Sequence, residues 1–294
     1  MRRDGPGALP YAREVLIVDR WPDVHDPLLV VALRGWVDAG FAGAGAADEV
    51  REQLSGGRTF GRIDLTDLLD LQQTRPTARF VEGGLRLITY PAIELSGGRC
   101  GRDVVVVHGP ESSLRWTAVA QVVVDAARRV GARDAVTLGA MPALVSHRSD
   151  VQVLATATSR SLAQELDPLR ADYAGPTGLQ TVVQHELGTA GIPCAGLWAQ
   201  VPQYVSGSPS PPAIRALLRS LVARFGLELD LHALDAQCDA YATRVETGLA
   251  SRPDVAEVVE ALERALDEPG GSIDPGPAGD ELVTEIERFL REQE

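Results

Sequence analysis

The 294-residue sequence holds 41 acidic and 28 basic side chains, for a formal net charge of −13, and every basic residue is an arginine. Because lysine is missing, the chain cannot form the Schiff base of a pyridoxal-phosphate enzyme or supply the lysine of a phosphate-binding P-loop. Asparagine is also missing, which excludes N-glycosylation. No run approaches the ~18 apolar residues of a membrane span. No apolar segment follows Arg2 and Arg3 as it would in a secretory signal, so we expect a cytoplasmic protein that does not bind membranes.

Short β-branched segments alternate with helical patterns through the first two hundred residues. In chain order the pattern predicts strand Val15–Val18, strand Leu28–Leu33, helix Ala39–Leu54, strand Leu85–Tyr90, strand Asp103–His108, helix Ser113–Val130, strands Ala135–Gly139 and Val151–Thr156, helix Leu179–Ala190 and strand Cys194–Val201. This alternation is typical of an α/β fold, with a mostly parallel sheet and helices on both of its faces.

Beyond the Pro- and Ser-rich segment 206–212, the pattern changes to helices alone. Apolar stripes at helical spacing run from Ile214 to Phe225, from Leu231 to Leu249 and from Val255 to Leu266. We therefore predict three parts of the chain. They are an α/β core domain over residues 1–210, a C-terminal all-helical appendage over 211–266, and an acidic linker with a final short helix, Glu281–Leu290, over 267–294.

The negative charge is confined to the C-terminal part of the chain. Residues 226–294 hold 18 acidic and five basic side chains, whereas the charges of residues 1–225 balance. Such a surface repels phosphate, so nucleic acid is not expected as a partner. Two interpretations of the acidic region remain open: a solvated tail that keeps the protein in solution, or a docking face for a basic partner.

Two loops that follow buried strands carry candidate catalytic residues. Asp38 lies after the strand that ends near Leu33, while His108 and Glu111 lie after the strand that ends near Val107. Sites form at the carboxyl ends of strands in open α/β sheets, so the three side chains could form an acid–base group. The alternative is structural, with Asp38 capping the helix that begins at the next residue.

Further residues in these loops and in a third loop are candidates for binding a ligand. The third loop is Gly175–Gly178, in which Thr177 is placed to cap the following helix. Because helix N-termini attract anions, Thr177 and Gly178 could instead bind a phosphate or a carboxylate. The other two loops contribute Trp36, Arg115 and Trp116, although both tryptophans are also explained as core or interface anchors.

No cofactor or metal is predicted from the sequence. The five histidines and three cysteines are scattered, without the spacing of metal ligands or of a disulfide framework. Gly40, Gly43 and Gly45 resemble part of a dinucleotide-binding fingerprint, but Asp48 stands where its third glycine belongs. Glycine and alanine at this density more often allow a helix to lie close to a sheet.

Several segments together resemble the proteasome assembly chaperone 2 family, in particular its actinobacterial branch. The matching segments, over roughly residues 14–230, are Gly35–Gly40, Gly109–Glu111, Arg115–Trp116, Thr137–Met141, His147, Gly175–Gly178, Leu197–Ala199, and Val201–Pro202 with Tyr204–Val205. The resemblance implies a three-layer α/β/α core like that of phosphorylases and hydrolases, and no established catalytic activity for this branch. It also implies homo-oligomers, with a trimer as one candidate, and adds His147 to the candidate ligand-binding residues.

The sequence departs from the family pattern in places that concern its function. Eukaryotic and archaeal relatives act on 20S proteasome α-subunits through a C-terminal hydrophobic-Tyr-x tripeptide, whereas this sequence ends in Arg291-Glu-Gln-Glu294. Gln203 stands where the family often has histidine, and Val145–Ser149 replaces a stretch similar to Pro-His-Thr-Arg-Pro. Docking on a proteasome through the chain terminus is therefore not expected.

The sequence leaves three hypotheses of function. The first is a non-enzymatic, homo-oligomeric cytosolic protein of assembly-chaperone type, with proteasome subunits or another protein as its partner. The second is a hydrolase- or phosphorylase-like enzyme that acts on a small anionic ligand at the loops near Leu33 and Val107. The third is a regulatory module that binds a partner, and its only support in the sequence is the acidic C-terminal region.

Overall fold

The computed structural model describes residues 15–81, 84–166 and 175–267 of the chain. The strands are β1 Leu16–Val18, β2 Leu28–Arg34, β3 Ser55–Asp64, β4 Thr77–Phe80, β5 Arg86–Thr89, β6 Ala92–Cys100, β7 Arg102–Pro110, β8 Asp134–Ala143, β9 Val153–Ala157 and β10 Cys194–Pro202. The helices are α1 Ala42–Glu52, α2 Trp116–Val130, α3 Arg160–Leu166, α4 Leu179–Thr189, α5 Pro211–Phe225, α6 His232–Ala250 and α7 Pro253–Asp267.

A central eight-stranded sheet is flanked by helices on both faces, in the order β1-β3-β6-β7-β2-β8-β10-β9. Successive residues of β2 point to opposite faces, and all but the last are buried. Leu28, Val30 and Ala32 pack in a cluster with α1 and α5, while the intervening residues pack in a second cluster with α2 and α4. The predicted three-layer α/β/α class is thereby confirmed.

The sheet is mixed, so the prediction of a mostly parallel sheet is wrong. β2 lies parallel to β7 and β8, and β8 lies parallel to β10, but the other neighbouring strands pair antiparallel. Strands β3 and β6 were not predicted from the sequence, because β3 is exposed over its first five residues and β6 contains Gly97 and Gly98. Neither strand has the continuous apolar run of a buried parallel strand.

Two helices begin later than predicted because the backbone before them is left-handed. A short 3₁₀ turn, Ala39–Phe41, precedes α1, and two of its residues, Gly40 (φ 61°) and Phe41 (φ 50°), are left-handed. Arg115 has φ 56°, and α2 therefore begins at Trp116 instead of Ser113. A left-handed residue does not continue a right-handed helix.

The C-terminal helices form a series that starts on the core. α5 packs on α1 and on β10, and Leu217 and Leu221 of α5 are fully buried in the cluster that contains β2. α6 packs on α5, and α7 packs on α6. The division at residue 210 stays a prediction, and the predicted helix Glu281–Leu290 lies outside the described residues, as does most of the predicted linker. Among the helices of the described ranges, none is long and apolar enough to cross a membrane.

Strands β4 and β5 form a separate two-stranded sheet that we call the β4–β5 arm. Leu85–Tyr90 is predicted as a strand, and its residues 86–89 do form β5, which pairs with β4 instead of with the main sheet. All eight residues of the two strands are exposed. A two-stranded hairpin with no buried face has little stability of its own in water.

Candidate functional site

Glu111 links the ends of three elements at the carboxyl edge of the sheet. It follows β7, and its backbone N–H donates to the carbonyl of Arg34 at the end of β2, at 2.8 Å. Its carboxylate accepts two further backbone hydrogen bonds, from Trp36 at 3.1 Å and from Leu179, the first residue of α4. The side chain therefore joins the loop after β2 to the N-terminus of α4.

The Glu111 carboxylate occupies the N-terminus of α4, where the sequence suggested that Thr177 and Gly178 could bind an anion. Gly178 is the N-cap residue of α4 and provides no side-chain bond, and Thr177 is exposed one residue earlier. The predicted cap by Thr177 is therefore wrong, because the carboxylate of Glu111 supplies the acceptor and the negative charge that favour this position. A Cβ atom on Gly178 would lie 3.1 Å from Glu111 Oε1, and one on Gly35 would overlap the same carboxylate.

Asp38 has the structural role that the sequence offered as an alternative to catalysis. Its Oδ1 accepts backbone hydrogen bonds from Gly43 at 2.7 Å and Ala44 at 3.3 Å, in the first turn of α1. Its Oδ2 is buried and has no hydrogen-bond partner among the described residues. Burial raises the pKa of Asp38 to about 6, against the opposing effect of these two hydrogen bonds.

His108 lies apart from both carboxylates, on the face of the sheet covered by α1. Its Nδ1 is 3.7 Å from an oxygen of Asp48 in α1, and its Nε2 is 3.6 Å from an oxygen of Glu94 in β6. Burial lowers the pKa of His108, with a smaller contribution from the charge of Arg51, so the imidazole is neutral near pH 7. The structure thus places Asp38, His108 and Glu111 in three different environments, each with its own contacts.

A cavity of about 340 Å³ opens beside His108. Its lining includes Arg34, Asp48, Thr74 and Gly109. The Nε2 atom of the imidazole is buried without a hydrogen-bond partner among the described residues. Asp48 and Glu94 were not predicted as site residues, because the strand that carries Glu94 has no strong sequence signal and Asp48 is recognisable only as part of a helix.

The aromatic candidates have unequal environments. Trp36 is 63% exposed, in the loop that Glu111 holds. Trp116 is half-buried against the α2 face of the sheet, and its indole N–H donates to the carbonyl of Ser112 at 2.6 Å. Arg115 is exposed and takes the left-handed conformation that precedes α2. Trp116 is therefore an anchor of this turn, while Trp36 is presented to solvent.

His147 belongs to a second polar cluster, which we call the 146–148 clamp. The loop after β8 contributes Ser146, His147 and Arg148, and α6 and α7 contribute Glu246 and Glu263. His147 Nδ1 lies 2.7 Å from the Tyr204 hydroxyl, and its Nε2 lies 3.1 Å from Glu246 Oε1.

Arg148 bridges the two glutamates of the 146–148 clamp. It contacts Glu246 at 2.7 and 2.9 Å and Glu263 at 3.0 and 3.3 Å. The hydrogen bond from Arg148 is the main reason why the pKa of Glu246 falls to about 2. His147 therefore helps to fasten the C-terminal helices to the core, in a position separate from the three loops described above.

Neither the cavity nor the polar clusters form a metal centre. Within the residues that the structure describes, no group of three or more His, Cys, Asp or Glu side chains is arranged to hold a metal ion. Cys100, Cys194 and Cys238 are free and buried. Burial raises the pKa of each thiol, which keeps all three protonated and unreactive near neutral pH.

The fold places the chain in a class of three-layer α/β proteins with solved structures from actinobacteria. A PAC2 family protein from Streptomyces avermitilis is 36% identical, with a TM-score of 0.74 over 80% of this chain and 100% of its own. A proteasome-assembly chaperone homologue from Mycobacterium tuberculosis is 33% identical, with a TM-score of 0.72 over 79% of this chain and 99% of its own. A Corynebacterium glutamicum protein of unknown function is 25% identical, with a TM-score of 0.76 over 86% of this chain and 97% of its own.

The PAC2 family model matches residues 32–247, and the chain belongs to this family. The resemblance to proteasome assembly chaperone 2 proteins of actinobacteria is thereby confirmed. A search of curated proteins finds no match.

Proposed function

We propose that this chain is a non-enzymatic, homo-oligomeric protein of assembly-chaperone type that acts in the cytoplasm by binding other proteins. Membership of the PAC2 family supports a chaperone-type role. The observation that carries the proposal is the β4–β5 arm, which holds large apolar side chains in solvent. Phe80 of β4 is 73% exposed and Ile88 of β5 is 52% exposed, and Leu85, directly before β5, is 69% exposed.

The geometry of the arm favours self-association. Ala78 lies opposite Ile88 and Phe80 lies opposite Arg86, so Phe80 and Ile88 occupy the same face of the hairpin. A cluster of exposed apolar side chains on a soluble protein marks an interaction surface. Since a hairpin alone is marginally stable, contact with a second copy would stabilise the arm while covering its apolar face.

The environments of the carboxylates support the non-enzymatic interpretation. The Glu111 carboxylate accepts hydrogen bonds from Trp36 and Leu179, and Asp38 caps the first turn of α1. Both carboxylates thus stabilise the backbone near the strand ends, and this structural role explains why they lie there. An acid–base pair would require the two groups to face one reacting atom.

The oligomeric state of matched variants tests this proposal. The purified full chain is expected to form a homo-oligomer, for example a trimer, by native mass spectrometry and light scattering, and Phe80→Ser with Ile88→Ser should shift it to monomers. Val222→Ser is the control, because Val222 is 38% exposed on α5, away from the arm. A monomeric parent, or a double variant that keeps the oligomer, contradicts the proposal.

Proteasome subunits are the first partner to test, because one relative at 33% identity is a proteasome-assembly chaperone homologue. Purified actinobacterial proteasome α-subunits mixed with the chain should give a mixed complex in native mass spectrometry. No complex with the parent chain, at concentrations where the α-subunits assemble by themselves, would rule out this partner while leaving the self-association result standing.

A second candidate function is a hydrolase- or phosphorylase-like activity on a small anionic ligand. The observation that favours it is the 340 Å³ cavity, because Arg34 and His108 both line it and Arg34 brings a positive charge to it. Thermal shifts with inorganic phosphate and small carboxylates would detect such a ligand, and His108→Ala should abolish the shift. Absence of any shift across the panel argues against this function.

A further inference from the structure

The C-terminal helices border an apolar groove of about 770 Å³, and its lining residues include none from the arm or from the loops that hold Asp38, Glu111 and Gly178. One wall is a face of α6 that includes Tyr241, Val245 and Leu249, and the opposite wall is the turn after β10, with Val205 and Pro209. Tyr241 and Leu249 are largely buried in the wall, and Val245 is partly exposed in the groove. We call this feature the α6 groove.

The charge of the α6 groove is opposite to that of its surroundings. The described residues that line it include two charged side chains, Arg244 and Arg252, and both are positive. The rest of residues 226–267 is strongly acidic. A positively charged apolar groove within an acidic region favours an occupant that combines acidic residues with an apolar stripe.

Residues 281–290 of this chain have that combination. Their apolar residues recur at helical spacing, and the segment as a whole is acidic. The stripe consists of Leu282, Val283, Ile286, Phe289 and Leu290, and the acidic residues are Glu281, Glu285 and Glu287. Ten helical residues span about 15 Å, and the groove follows α6 from Gln237 to Leu249, about 18 Å at the same rise per residue.

The length of chain that connects the two is sufficient. α7 begins beside the groove, where Val255 lines it, and ends at Asp267, about 18 Å further along the helix axis. The 13 residues from 268 to 280 reach at most about 45 Å when fully extended. Residues 281–290 can therefore return to the groove of the same molecule.

We infer that the α6 groove is a docking site for residues 281–290 of the same chain, bound through their apolar stripe with the acidic residues facing Arg244. This interaction is intramolecular and independent of the self-association proposed for the arm.

Hydrogen exchange in the full chain tests the docking. Ile286→Asp with Phe289→Asp should raise amide exchange in residues 237–249 by at least about tenfold, which corresponds to loss of roughly 1.4 kcal/mol of protection. Thr284→Asp is the matched control, since Thr284 lies on the opposite side of the apolar stripe, and it should leave exchange unchanged. Equal exchange in the parent and the double variant would overturn the inference.

A labelled peptide of residues 278–294 provides the second measurement. It should bind the full-length double variant, whose groove is empty, at least about tenfold more tightly than the parent, whose own segment competes. Arg244→Glu added to the double variant should weaken peptide binding, more so at low salt. Protection of 237–249 that rises with protein concentration would show that a second copy supplies the segment, and this too would overturn the inference.

Discussion

Glu111→Ala should destabilise the protein by about 3 kcal/mol, because its carboxylate is the acceptor for two backbone N–H groups in different elements. A hydrogen bond to a charged group contributes about 1.5–3 kcal/mol, and loss of a helix cap costs about 0.5–2 kcal/mol. The two contributions overlap at Leu179, so their full sum overestimates the effect. Urea denaturation followed by far-UV circular dichroism measures the free energy of unfolding.

Two further variants test whether Glu111, and not Thr177, caps α4. Glu111→Gln keeps one acceptor oxygen and should cost less than the alanine variant, about 1–2 kcal/mol. Thr177→Ala should change stability by less than about 0.5 kcal/mol, because the threonine is exposed and α4 has no side-chain cap from its own N-cap residue. If Thr177→Ala were as destabilising as Glu111→Ala, or if the latter were nearly neutral, the assignment of Glu111 as the cap of α4 would be refuted.

Further predictions concern other contacts of the core. Gly35→Ala should cost about 2–3 kcal/mol in urea denaturation, since its Cβ displaces the Glu111 carboxylate, whereas Gly207→Ala meets no atom within 4 Å and should be tolerated. Because burial raises its pKa from 3.8 to about 6 on folding, Asp38 contributes stability that is fully present below pH 3.8 and is lost as the pH rises through about 6. In Asp38→Asn this pH-dependent part of the free energy of unfolding, about 3 kcal/mol, should be absent when urea denaturation is repeated across the pH range. Glu246→Gln should increase hydrogen exchange in the 146–148 clamp at neutral pH, and the difference from the parent should vanish as the pH falls through about 2, where the parent glutamate is protonated.

The strands that the sequence predicts well are those buried on both sides. Leu28–Leu33 reads as one apolar run because both faces of β2 are covered by helices. By contrast, β3 begins with five exposed residues, including Gly56 and Gly57, so its place in the sheet depends on pairing with β6 and not on its own composition. The parallel centre of the sheet is thus visible in the sequence, while β3 and β6 on its antiparallel side are not.

The same distinction between local and distant contacts applies to the candidate site. The cap by Asp38 could be predicted because the acceptor and its donors lie five and six residues apart. Glu111 caps a helix that begins 68 residues later, and no local pattern reveals that contact. For this reason the sequence favours Thr177 as the cap, whereas Glu111, directly after β7, supplies it.

The segment that contains the β4–β5 arm begins and ends at neighbouring positions of the main sheet. Asp64, the last residue of β3, lies directly opposite Ala92, the first residue of β6, so the pairing of these two strands does not depend on what lies between them. Leu65 and Leu68, just after β3, are buried and hold the start of the connecting segment 65–91 against the core. A change in the length or sequence of the arm is therefore expected to leave the register between β3 and β6 unchanged.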